Sequence, residues 1–214
     1  MEEDDMNPEM ALTQAFDTAL EFNVDEVKAY VSGLKDKYTG LTNEELAQKV
    51  IRGTKWKTTL TGAVTGAPSN PWVSVGAAAV DVGILFRCEL GMAARIATIF
   101  DETFFDEPDA QYELLIPLFG GQVVSQLLRE AGVRAGMGVT RAAIRKFISK
   151  EVLKIVKKLA LKYLGLKLTQ RAIITKTLPI VGGVIGGAWN HAETSLVGKR
   201  VIDYFNDKAV SLMD

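Results

Sequence analysis

Over residues 176–205 the chain reads K-T-L-P-I-V-G-G-V-I-G-G-A-W-N-H-A-E-T-S-L-V-G-K-R-V-I-D-Y-F. The apolar spacing there is helical. Val181, Ile185, Ala188, Ala192 and Leu196 fall on one stripe, and Val197, Val201 and Phe205 continue it at i, i+4. Four glycines form two overlapping G-x-x-x-G pairs, Gly182 with Gly186 and Gly183 with Gly187. A helix-interior glycine costs about 1 kcal/mol against alanine, so four cost roughly 4 kcal/mol. Close backbone packing against another helix offsets such a cost, because small residues at this spacing flatten one helix face. The stretch therefore predicts a glycine-rich helix packed in the core. Read as a phosphate loop it fails, since no strand precedes the glycines.

The rest of the chain agrees with a helical class. Period-two alternation is nearly absent, and there is no Asn-Gly or Asp-Gly hairpin turn. We expect an all-α, compact multi-helix bundle. With 214 residues it is long enough for one domain with a sizeable core. The expected division is an acidic N-terminal helical segment over 1–24 and a helical domain over 25–214.

Local signals place the elements. Asn7-Pro8 opens a helix to about Phe22. Asn23 with Glu26 caps a second, ending near Tyr38 to Gly40. Thr42 with Glu45 is a capping box for a third, running from Asn43 into the low sixties, where Gly53, Thr54, Thr58, Thr59 and Gly62 weaken the pattern. After the breaker G-A-P-S-N-P comes a long apolar helix over 72–100 carrying Asp81. It holds roughly 16 residues before a second ionisable group, short of the ~20 a membrane span needs, so a core helix is favoured over an inserted one. An acidic loop over 101–109 follows, then two helical pieces joined at Pro117 or Gly120-Gly121. A basic amphipathic helix runs from Thr140 to about Leu164, ended by Gly165, and a short helix covers 169–176.

Charge is segregated. Residues 2–26 hold nine acids and no base, whereas 134–171 hold eleven bases and one acid, Glu151. Arg141, Arg145, Lys146, Lys150, Lys154, Lys157, Lys158 and Lys162 lie largely off the apolar face of Ile144, Phe147, Ile148, Val152, Ile155, Val156 and Leu159. Each base near an anionic leaflet is worth about 1 kcal/mol, so these eight are candidate membrane or anion contacts. The competing reading is a solvated outer face of a core helix. Nucleic acid is disfavoured, because only Phe147 and Tyr163 interleave the bases. A hydrophobic fraction of 48% beside 24% charged residues is compatible with either a soluble or a membrane-associated protein. The single cysteine, Cys88, excludes an internal disulfide, and the acidic start M-E-E-D-D-M-N lacks the positive charge of a secretory signal. The expected location is cytoplasmic, at the inner face of the membrane where it is membrane-bound.

Three blocks carry a family resemblance: E-E-L-A-Q-K-V-I-R over 44–52, the Asp81 helix ending A-R-I-A-T-I-F over 94–100, and L-P-I-V-G-G-V-I-G-G-A-W-N followed by V-G-K-R-V-I-D-Y-F. Together they make roughly 25–206 resemble the EcsC family of helical proteins and domains. A weaker similarity reaches helical domains attached to membrane-associated GTPases, although the P-loop G-x-x-x-x-G-K-[ST] is missing. The resemblance implies a helical fold and proximity to membranes, and it brings no catalytic residues.

No catalytic constellation stands out. His191 is the one histidine; without a cysteine nearby it cannot make a zinc site, and nucleophilic catalysis would have to route through it. Ser195 at i+4 permits a Ser–His contact but not a triad. Asn190 and His191 read as interhelical hydrogen-bonders. Asp81 and Arg87 read as buried polar groups, Asp81 needing a partner on another helix such as Lys176 or Lys199. We expect no metal and no cofactor. The leading expectation is a non-enzymatic accessory or scaffold protein at an anionic membrane surface. Behind it stand a soluble interaction or homo-oligomerisation module and an enzyme using Asp81, Arg87 and His191 in a buried polar pocket.

Overall fold

The computed structural model describes residues 8–65, 71–107, 110–120, 126, 138–139, 141, 155, 158–159, 161–166, 182–206 and 210–211. For 8–12, 15, 62–65, 71–81, 138–139, 182–186 and 210–211 the description is of the backbone alone. The described chain is an all-α bundle. Its longer helices are α1 (Pro8–Leu20), α2 (Val24–Lys37), α3 (Asn43–Thr65), α4 (Pro71–Phe100) and the C-terminal helix (Gly182–Phe205). A 3-10 turn at Phe104–Asp106 and short helices at Ala110–Glu113 and Leu115–Phe119 follow α4. Gly138–Val139 and Val210–Ser211 add a two-residue antiparallel ladder that no alternation in the sequence announced.

The helix starts are those the capping residues dictate. The Asn23 side chain accepts the Asp25 and Glu26 amides at 3.0 and 3.3 Å, opening α2. At α3 the capping box closes both ways: the Glu45 amide donates to Thr42 Oγ1 at 3.2 Å, and the Thr42 amide donates to Glu45 Oε2 at 2.8 Å. One expected end differs. The helix over 161–166 runs through Gly165 to Leu166, because one glycine weakens a helix without stopping it. Of the two joints expected after the acidic loop, the described helix ends at Gly120 (φ 71°), whose amide donates to the Ile116 carbonyl, rather than at Pro117, and a further break falls at Leu114. Pro117 sits in the first turn of Leu115–Phe119, where the missing amide hydrogen would have had no partner. The helix expected over 169–176 lies outside the described residues.

The lower half of α4 is the core. Leu90, Met92, Ala93, Ala94, Ile96 and Ala97 are fully buried, and α4 packs against α1, α2, α3 and the C-terminal helix. Each large apolar side chain so buried contributes about 1.5–3 kcal/mol. That placement accounts for the apolar side chains of α4 over 90–97 without a bilayer, and no helix among the described residues is long and apolar enough to cross a membrane. Phe16 of α1 stacks on Phe86 of α4 at 5.2 Å, and Phe86 on Phe119 at 5.9 Å. Phe119 meets Tyr163 edge-on at 5.3 Å. The acidic N-terminal region and the basic stretch are thus tied to one core.

The most extensive packing among the described elements joins α3 and the C-terminal helix. A Cβ on Gly198 would lie 2.6 Å from Ile51 Cγ1 of α3, so the two backbones approach as closely as a missing side chain allows. The expected stripe on the C-terminal helix divides, however. Val197, Val201 and Phe205 are buried, but Ala188, Ala192 and Leu196 are exposed. The buried face is instead Gly187, Asn190, Thr194, Val197, Gly198 and Val201. Polar residues occupy it because α3 offers polar partners there.

Candidate functional site

Three polar arrangements and one surface hold the residues that chemistry could use. The first is the threonine-rich half of α3. Thr54 and Thr58 donate their hydroxyls back to Val50 and Thr54 carbonyls, which lets hydroxyls sit inside a packed helix. Across the interface the Asn190 amide donates to the Thr58 carbonyl at 2.9 Å, and Thr58 Oγ1 meets Thr194 Oγ1 at 3.0 Å. Thr59 Oγ1 lies 3.3 Å from His191 Nδ1 at the exposed margin. Asn190, at 0% exposure, and His191 are interhelical hydrogen-bonders. His191 itself is exposed, which corrects its expected burial.

The second arrangement surrounds Arg141. Its Nε donates to Glu113 Oε1 at 2.8 Å, and a terminal nitrogen lies 3.5 Å from Asp101 Oδ2. Tyr204 donates its hydroxyl to the same Glu113 oxygen at 3.2 Å. The guanidinium faces the Phe205 ring, 4.4 Å from its centre. With side chains only 13% and 7% exposed, Arg141 and Glu113 are a largely desolvated pair. Burial by itself pulls the Arg141 pKa down, but the hydrogen bond and charge of Glu113, with Tyr204 and Asp101, outweigh it and hold it above the ordinary arginine value. Arg141 was expected to face a membrane or an anion; it is spent on an internal clamp joining the end of α4, the short helices and the C-terminal helix.

The third is the remainder of the acidic loop. Lys28 of α2 pairs with Asp106 at 2.9 Å and Lys35 pairs with Glu102. Lys35 lowers the Glu102 pKa through its hydrogen bond and its charge. Asp101, Glu102 and Asp106 are thereby partnered by Arg141 and α2.

Of the basic stretch, Arg145, Lys146, Lys150, Lys154 and Lys157 lie outside the described residues. Lys158 and Lys162 are exposed, one turn apart. Leu159 and Leu164 are buried, and Ile155, Leu161 and Tyr163 pack against the core. Among the described residues, Leu159 and Leu164 are thus used internally, while Lys158, Lys162 and Leu166 face outward. Gly182, Gly183 and Gly186 begin the C-terminal helix with surroundings outside the described side chains; Gly187 is buried as expected. Asp81 lies on α4 with its side chain outside the description, Lys199 is exposed, and Arg87 is exposed rather than buried. Burial raises the Cys88 thiol pKa, which keeps it a poor nucleophile. No group of metal-ligating side chains occurs among the described residues.

The surface missed from the sequence is the outer side of α3. An open cleft of about 620 Å³ separates α2 and α3, lined by Tyr30, Leu34, Lys37, Tyr38, Lys49 and Arg52 among others, none of them acidic. Lys49 Nζ sits 4.0 Å above the Tyr38 ring. Beyond the cleft, Trp56 is 70% and Leu60 61% exposed. The tripeptide Lys55-Trp56-Lys57, in a stretch free of acids from Leu46 to Thr65, was the available signal.

No family model, curated protein or solved structure matches the chain.

Proposed function

We propose that the protein is a non-enzymatic helical accessory or scaffold protein that works at an anionic membrane surface, on the cytoplasmic side, through its basic stretch. One observation carries this reading: Lys158 and Lys162 are exposed one turn apart on a segment that the buried Leu159 and Leu164 anchor to the core. Such a segment has cations to offer, with Leu166 exposed on the turn after Lys162. Its contact with lipid is electrostatic and peripheral, with bases beside anionic headgroups at about 1 kcal/mol each. The polar arrangements support a non-enzymatic reading, since Arg141, Glu113, Tyr204, Asn190 and Thr58 are engaged with one another across helix contacts. The resemblance of 25–206 to the EcsC family supports the same reading.

The test is charge reversal. With Lys158→Glu and Lys162→Glu together, flotation with phosphatidylglycerol-rich vesicles should weaken at least about tenfold, two reversed charges being worth more than 1.4 kcal/mol. Unchanged flotation would remove the basic stretch from the mechanism.

A further inference from the structure

The outer face of α3 joins cations to an exposed tryptophan. Lys49, Arg52, Trp56 and Leu60 follow one another at spacings of three, four and four residues, which puts them along one helix face. Lys49 and Arg52 line the cleft against α2, where Lys37 adds a third cation. Trp56 lies two turns further on from Lys49, roughly 10 Å along the axis, and Lys57 stands exposed beside it. Past Glu45 the helix holds no acid. At 70% and 61% exposure, Trp56 and Leu60 stand out from the surface rather than lining a groove.

We infer that this face is a second lipid contact, docking onto an anionic bilayer surface with Lys37, Lys49 and Arg52 beside phosphate headgroups and Trp56 and Leu60 in the interfacial layer. The inference rests on the proposed membrane function and assigns it a further site and an insertion depth. Charge complementarity selects the occupant. A row of cations without acids calls for an extended anionic partner, and exposed tryptophan beside lysine matches the headgroup region, where an indole keeps its ring in the apolar margin and its N–H wet. A bilayer also needs no walls to hold Trp56 and Leu60, which project beyond the cleft that Lys37, Lys49 and Arg52 line. Shallow insertion here, with purely electrostatic contact at Lys158 and Lys162, is the behaviour of a protein lying on a membrane rather than in it.

The chain has three tryptophans, so Trp72→Phe with Trp189→Phe leaves Trp56 as the sole indole reporter, with circular dichroism confirming the fold. Added to vesicles of phosphatidylglycerol and phosphatidylcholine in equal parts, Trp56 emission should move to the blue and be quenched by brominated acyl chains. In the otherwise unaltered chain, Trp56→Ser with Leu60→Ser should weaken vesicle binding about tenfold or more without changing thermal stability, since both side chains are solvent-exposed. Vesicle binding with unshifted Trp56 emission would overturn this inference and leave the basic-stretch reading standing; no binding at all would overturn both. A blue shift that depends on protein concentration in the absence of lipid would overturn it too, by showing that a second copy covers the face.

Discussion

Arg141 shows how burial decides what a charged residue does. In the sequence it is one of a run of cations; in the folded chain its guanidinium is held by Glu113 at 2.8 Å and capped by the Phe205 ring. Taking away one member of a desolvated pair leaves the other charge stranded, which costs about 3–5 kcal/mol in buried cases. Glu113→Ala should therefore destabilise the protein by about 3 kcal/mol in urea unfolding. Glu113→Gln should cost clearly less, because an amide oxygen still accepts from Arg141 and from the Tyr204 hydroxyl. Equal losses in the two variants would mean that charge, and not hydrogen bonding, holds the clamp. The sequence could not distinguish Arg141 from Lys158: both lie in a basic run, and only the long-range placement of Glu113 separates a clamp from a free cation.

At the scale of elements, α3 is positioned at both ends by different physics. Its start is the Thr42–Glu45 capping box, and Thr42→Ala should cost about 1 kcal/mol at neutral pH. Hydrogen bonds from the Thr42 amide and hydroxyl, with the charge of Lys49, hold the Glu45 carboxyl below its usual 4.5. A carboxyl whose pKa is lowered by folding adds stability that is present above the unfolded value and is lost as pH falls through the folded one. The gap between the natural chain and Thr42→Ala should therefore narrow as the pH of the unfolding series drops below 4.5; a gap independent of pH would argue against the box. Further along, Gly198 lets the C-terminal helix close on α3, and a Cβ there meets Ile51 at 2.6 Å. Gly198→Val should destabilise by about 1–3 kcal/mol through overpacking. Combined with Ile51→Ala the loss should be smaller than the sum of the two, as for residues in contact.

These elements also mark how much the sequence revealed. Caps at Asn23 and Thr42, the breaker before α4 and the apolar run of α4 are local signals, and the helices they imply are present. Which side of a helix faces inward is not local. The stripe of Ala188, Ala192 and Leu196 has the right period and faces solvent, because Asn190 and Thr194 find hydroxyl and carbonyl partners on α3. The threonines that weakened the reading of α3 from sequence are those same partners. Trp56, with exposed Lys57 beside it, was overlooked because an aromatic residue in a helix is usually core.

For the molecule as a whole, the buried apolar side chains of the described residues form one core. The lower half of α4 is enclosed by its neighbours, Tyr163 joins 161–166 to Phe119, and α1 is bound through Phe16. Outward among the described residues are Lys158 and Lys162 and the Lys49–Leu60 face of α3. A protein so arranged should meet an anionic membrane peripherally. The measurement that tests this most directly is flotation of the purified chain with phosphatidylglycerol-containing and with pure phosphatidylcholine vesicles across a salt series. The account predicts binding to the anionic vesicles alone, falling as salt shortens the screening length to about 3 Å at molar ionic strength. Absence of binding at low salt, or equal binding to neutral vesicles, would contradict it.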